Sequence, residues 1–179
     1  EEKLPDVFAV VNPKQKGCKY PFKELCGSGV AFKLILAILK INRFGISEGW
    51  ETWLLDMVAI ATLGDIVPLN GENRALAHFG MRVMKKSQRK GFKRMLELAK
   101  VDQNNLCEDD VGFMVIPRIN AASRMGESIQ AFHLLASEDT IEADRLARFL
   151  EEKNAERKIA VALIGKSAKK LAKAKLVSL

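Results

Sequence analysis

The sequence predicts an α/β fold, rich in helix, in which one apolar strand leads into a series of helices and the chain closes on a long helical run. Three observations carry that expectation. Val7-Phe-Ala-Val-Val11 is a continuous, mostly β-branched apolar run cut off by Asn12-Pro13, the pattern of a strand buried on both faces of a parallel sheet. Between Val30 and Lys86, apolar residues recur at helical spacing. From Asp139, helical residues run to about Leu176 without a proline.

The elements follow in order. Lys14 to Tyr20 reads as a polar loop. Gly27-Ser-Gly29 precedes a largely buried helix from Val30 to Phe44, stopped by Gly45. No third glycine follows at dinucleotide spacing and no Gly-Lys-Ser/Thr occurs, so Ser28 is expected to cap this helix and not to cradle a phosphate. A second helix spans Trp50 to Leu63 and breaks at Gly64 and Pro68. A third spans Asn73 to Lys86, with Leu76, Phe79, Val83 and Met84 on its apolar stripe. A short fourth spans Phe92 to Val101. Asp110 to Met125 shows no clean period, and Ile129 to Ala136 reads as a buried helix. Asp139 serves as N-cap of the last helix, with Glu142 three residues on. Leu146, Leu150, Val161, Ile164, Ala168 and Leu171 keep a spacing of three to four along it. A single strand cannot form a sheet, so either partner strands lie upstream, outside this chain, which is the expectation, or the run is not a strand.

Composition narrows the class. The chain has 179 residues, 48% of them hydrophobic and 28% charged, the profile of a soluble globular protein with a proper core. Its net charge of +7 is unevenly placed: Lys166, Lys169, Lys170, Lys173 and Lys175 supply five charges. A second basic cluster contains Arg82, Lys85, Lys86, Arg89, Lys90, Lys93 and Arg94. Such clusters favour polyanions, or form solvated helix faces. Cys18, Cys26 and Cys107 lack CxxC spacing, and with only His78 and His133 no zinc quartet is visible. Reduced thiols and a cytoplasmic setting are expected. No apolar run approaches the roughly 20 residues that cross a bilayer. The chain opens on Glu1 and not Met, and passes directly into the apolar run, which suggests a piece of something longer.

Two segments offer chemistry. From Met57 to Leu69 the only charged side chain is Asp65. A carboxylate among apolar neighbours needs a compensating partner, and a divalent cation is one candidate. Gly64 also places Asp65 at a helix C-terminus, where the helix dipole disfavours an anion. The alternatives are a carboxylate that caps the next turn or pairs with Arg74. Asp56 reads as structural or paired with a base. The second segment, Ile116-Pro-Arg-Ile-Asn-Ala-Ala-Ser-Arg-Met-Gly126, brings Arg118, Asn120 and Arg124 close together in sequence, as an anion site requires. On a regular helix the two arginines would stand about 120° apart, so convergence on one phosphate demands irregular backbone. The alternative ties them to acids such as Glu108 or Asp110. His133 reads as a hydrogen-bonded core residue and His78 as a surface one. Trp50 and Trp53 read as packing residues.

Asn12-Pro-Lys, Tyr20-Pro-Phe-Lys-Glu-Leu-Cys-Gly-Ser-Gly-Val-Ala-Phe-Lys33, Leu55-Asp-Met-Val-Ala, Thr62-Leu-Gly-Asp-Ile-Val-Pro-Leu, Gly71-Glu-Asn-Arg74, Pro117-Arg-Ile-Asn-Ala-Ala-Ser-Arg124 and Leu150 through Asn154 to Arg157, in this order, resemble the bacterial RecJ single-strand-specific exonucleases of the DHH phosphoesterase superfamily. The resemblance implies that residues 1–138 are the helix-rich C-terminal portion of a DHH-type parallel-sheet domain. Residues 139–179 would then be a long connector helix toward a smaller lobe that is absent. It further implies a monomeric, cytoplasmic 5′→3′ exonuclease acting on single-stranded DNA in repair and recombination, dependent on Mn²⁺ or Mg²⁺. Asp65 matches a catalytic, metal-binding aspartate of the family. Arg118, Asn120 and Arg124 match a stretch assigned to contacts with DNA or its 5′-phosphate. The family's Asp-His-His motif is missing, so this chain is expected to be inactive alone. Ala61 and Ser123 stand where glycine is expected, and Gly64 where alanine is expected. Two other classes stay open: a metal-free nucleic-acid-binding or scaffold module, and a DHH enzyme acting on short oligonucleotides or cyclic dinucleotides.

Overall fold

The computed structural model describes residues 5–177, with side chains to residue 172. The helices are α1 (Gly27–Ile41), α2 (Leu55–Gly64), α3 (Gly71–Met84), α4 (Lys90–Ala99), the single turn α5 (Glu108–Asp110), α6 (Ile116–Arg124), α7 (Ser128–Ala136) and α8 (Thr140–Val177). They fall into two compact units, Glu1–Ser87 with Gln103–Gly112, and Gln88–Asp102 with Phe113–Leu179.

The expected strand does not form. Residues 6–8 bend, the chain stays irregular to α1, and Val7, Phe8 and Val11 lie exposed. No strand occurs among the described residues. The reason is pairing: a strand is held by ladder hydrogen bonds to a neighbour, and no second β-type run exists here to supply them. The helix-rich part of the expectation is observed; the sheet is not.

In the first unit, Leu25, Phe32, Val58 and Leu76 form the core, with Tyr20, Phe22, Val30, Leu36, Leu54 and Leu55 packed around it. Helix α1 begins at Gly27 with Cys26 in the capping position and no side-chain cap, so Ser28 is not the N-cap. Leu34, Ile38 and Ile41 are exposed, and α1 is therefore less buried than its composition implied. It ends at Ile41, and the chain reverses through Phe44 and Gly45, both at positive φ; Asn42 Oδ1 accepts the Phe44 N–H at 2.8 Å. A 3₁₀ turn over Trp50–Leu54 runs into α2. Helices α2 and α3 approach so closely at Gly80 that an added Cβ would lie 2.3 Å from the Leu55 carbonyl oxygen. Asp56 is buried, accepting the Met57 N–H at 2.7 Å and the Ser87 hydroxyl at 2.9 Å.

The second unit packs α4, α6 and α7 against α8 around Phe92, Met95, Leu96, Leu134, Leu146 and Leu150. Asp139 caps α8 as expected, its Oδ1 accepting the Ile141 N–H at 3.0 Å. Leu146 and Leu150 are buried, whereas Val161, Ile164 and Leu171 farther along are exposed. Helix α7 buries only Ala131 and Leu134, and His133 is exposed on its far side, edge-on to Phe132, contrary to the core role expected of it.

The aperiodic stretch after Asp110 is helical after all. A π turn over Val111–Val115 leads into α6, whose second residue is Pro117. Proline lacks the N–H that would bond four residues back, and its ring crowds that carbonyl; widening the preceding turn relieves both problems. This wide turn is also why the segment shows no 3.6-residue period.

Candidate functional site

Asp65 forms the C-cap of α2, its N–H bonded to the Ala61 carbonyl at 2.8 Å. The next residue, Ile66, has φ 53°, a left-handed conformation that a β-branched side chain adopts only under strain. This turn throws residues 65–70 out of the helical hairpin. The Asp65 carboxylate is consequently exposed, with no hydrogen bond or ion pair among the described residues, and it does not pair with Arg74. Asp65 is thus not the buried anion that its apolar neighbours implied, and burial alone demands no partner for it. Among the described residues no group of three or more His, Cys, Asp or Glu side chains could hold a metal ion. Asp65 can give one oxygen to a divalent cation, but the described residues do not make a ligand set for one.

The far end of the turn is fixed. Gly71 has φ 45°, and a Cβ there would lie 2.9 Å from the Phe22 ring. Asn73, fully buried, donates from Nδ2 to the Glu24 carbonyl at 2.7 Å and to the Pro68 carbonyl at 3.0 Å.

Arg118, Asn120 and Arg124 all lie on α6. Arg118 is buried, donating from Nε to Glu151 Oε2 of α8 at 2.5 Å and from a terminal nitrogen to the Met114 carbonyl at 2.6 Å. Asn120 is half-buried. Arg124 is exposed and without a partner among the described residues. The two arginines sit six residues apart on one regular helix, so they diverge by about 120°. The backbone irregularity needed for convergence exists, but at Val111–Val115, ahead of both. Arg118 does tie to an acid; it is Glu151, and neither Glu108 nor Asp110.

A third cluster was not singled out in the sequence. The Tyr20 hydroxyl donates to Glu72 Oε2 at 2.8 Å, and Lys33 Nζ lies 2.6 Å from the same oxygen. Burial pushes the Tyr20 hydroxyl up, and its bond to Glu72 adds to that. For Glu72, burial acts to raise the pKa, but Lys33 and Tyr20 together hold it below its ordinary value of 4.5. For Lys33, burial acts to lower the pKa, but Glu72 and Tyr20 together hold it above 10.5. A depressed carboxylate stabilises the fold above its unfolded pKa, and that stabilisation is lost as pH falls through the folded value. Thermal melts should therefore show the loss of stability below about pH 4.5 shrinking in Glu72→Gln; an identical acid profile for both proteins would show that the cluster contributes nothing. Tyr20 and Glu72 are 52 residues apart, a separation at which no sequence period is informative.

No family model matches the chain. It is 45% identical over 154 residues to the single-stranded-DNA-specific exonuclease RecJ of Bacillus subtilis (strain 168), a match covering 86% of this chain and 19% of that protein. It is 38% identical over 166 residues to the protein of the same name from Escherichia coli (strain K12), covering 87% of this chain and 28% of that one. The crystal structure of RecJ from Thermus thermophilus in complex with Mg²⁺ superposes with a TM-score of 0.70 at 34% identity, over 83% of this chain and 23% of the other. A crystal structure of exonuclease RecJ bound to manganese gives 0.71 at 34% identity, over 83% and 37%. Agreement of sequence and fold over more than four-fifths of the chain places it in a nuclease family. That family is RecJ: the chain belongs to it and spans from 19% to 37% of the length of these relatives.

Proposed function

We propose that this chain is part of a 5′→3′ exonuclease that hydrolyses phosphodiester bonds of single-stranded DNA, with Mn²⁺ or Mg²⁺, in repair and recombination. The observation that carries this reading is the 45% identity to an exonuclease over a stretch containing both Asp65 and α6. Solved relatives in complex with Mg²⁺ and bound to manganese support the choice of metals. When bound, such ions activate water and stabilise a leaving oxygen. Asp65 is the carboxylate we assign to them, exposed on a strained turn. Arg124 and Asn120 face outward or partly so, and are suited to the strand's phosphates. Arg118 serves the site by anchoring α6 on α8. The exposed Val7, Phe8 and Val11 and the bare side of α1 are apolar surface that a parallel sheet would cover. We place the segment in a cytoplasmic, monomeric protein, with α8 as connector to a further lobe. Among the described residues no helix is long and apolar enough to cross a membrane.

Since the described residues hold no ligand set, the isolated chain should release no nucleotides from single strands above a no-protein control. The decisive experiment replaces the matching segment of the Bacillus subtilis protein with this chain. The chimaera should digest single-stranded DNA in the presence of Mn²⁺, and Asp65→Ala should lower its rate on the order of 100-fold or more. A folded chimaera that binds but never cleaves would favour a scaffold role, and an Asp65→Ala chimaera as active as its parent would remove Asp65 from the chemistry.

A further inference from the structure

We propose that Asn73 is a positioning residue that locks the turn bearing Asp65; its functional meaning rests on the reading of Asp65 above. One amide group joins three pieces of chain. From the first full turn of α3, Asn73 Nδ2 reaches the carbonyl of Pro68, three residues beyond Asp65, and the carbonyl of Glu24, two residues ahead of the α1 capping position. The orientation of the amide is forced, because turning it over would set Oδ1 against both carbonyl oxygens. The consequence is an Oδ1 that is buried with no hydrogen-bond partner among the described residues. A buried acceptor left orphaned works against folding. A side chain that only filled this space would do better without it, so the two donated bonds are what the position requires.

The turn needs such a lock. Ile66 is held at φ 53°, where its own backbone preference works against it, and Asp65, Ile66, Pro68, Leu69 and Asn70 are all exposed. Only Val67 of this segment is partly buried, so packing contributes little between the α2 cap and Gly71. The bond from Asn73 to Pro68 is the side-chain tie that does. Without it the strain at Ile66 can relax, and the Asp65 carboxylate moves with it.

The test uses the whole 179-residue chain carrying Asn73→Asp, which keeps the shape and removes both donors, and Asn73→Ala, which removes the orphaned acceptor as well and so still folds if the aspartate variant does not. Backbone ¹⁵N order parameters of Ile66, Val67 and Leu69 should fall from about 0.85 to below about 0.6 in the variants, while Ala59 in α2 and Leu76 in α3 stay rigid. Unchanged values in the turn, or an equal loss throughout α2 and α3, would overturn the proposal. In the chimaera, Asn73→Ala should lower kcat at least about tenfold and leave KM within about twofold, as expected when a reacting group is displaced and the grip on the strand is not; a rise in KM at unchanged kcat would count against positioning. Should Asp65→Ala leave the chimaera as active as its parent, the reading of Asp65 fails, whereas the order parameters still decide whether Asn73 holds the turn.

Discussion

Gly91→Ala is expected to destabilise the second unit by about 3 kcal/mol, the upper end of the usual range for overpacking. A Cβ at position 91 would lie 1.9 Å from the Leu134 carbonyl oxygen and 2.7 Å from its carbonyl carbon. Both are backbone atoms of α7, so the clash cannot be relieved by rotating a side chain; α4 and α7 must move apart. Phe92, Met95 and Leu134, all buried, would then lose contacts as well. Gly165→Ala is the matched control in the same unit. Nothing lies within 4 Å of its added carbon, and alanine gains up to about 1 kcal/mol of helix propensity there. Urea unfolding of both variants measures the difference. A Gly91→Ala protein as stable as the parent would mean that α4 and α7 do not meet at this point.

The second large effect concerns Arg118. Glu151→Ala should cost about 3 kcal/mol, because it leaves Arg118, a residue only 5% exposed, without its carboxylate. The figure sits at the lower edge for buried pairs, since the Glu151 side chain is itself 38% exposed and partly solvated. Replacing both partners, Arg118→Met with Glu151→Leu, should come back to within about 1 kcal/mol of the parent, as apolar replacements of buried pairs do. A double-mutant cycle on chemical denaturation gives the coupling directly. If Glu151→Ala proves neutral, Arg118 is free of α8 and returns as a candidate for the DNA strand. If it is costly, Arg118 is committed to anchoring α6 on α8.

Much of the helical layout was legible because amphipathic periodicity and capping chemistry are local. Asp139 shows this well: its carboxylate bonds an N–H two residues on, so the cap could be read without knowing the fold. The run Val7–Val11 shows the opposite. Its composition is that of a strand, yet strand formation needs a partner, and composition cannot report whether one is present. Ser28 failed as a cap for a related reason, since a chain that enters a helix two residues earlier moves the capping position to a different side chain. Glu151, Asn73 and the Tyr20–Glu72–Lys33 cluster were not legible as site elements, because each acts on residues 33 to 52 positions away, or on a carbonyl that any residue could supply.

What the sequence by itself determined is most of the helices, though not α5 and α6, together with the family and the two segments where function was to be sought. Their residue types and spacings are properties of short stretches of chain. Only the tertiary structure decided that Asp65 stands in water on a strained turn, that Arg118 faces inward and Arg124 outward, and that Asn73 is buried against two carbonyls. Those outcomes depend on which face of each helix is covered by another, and that is settled when distant stretches pack together.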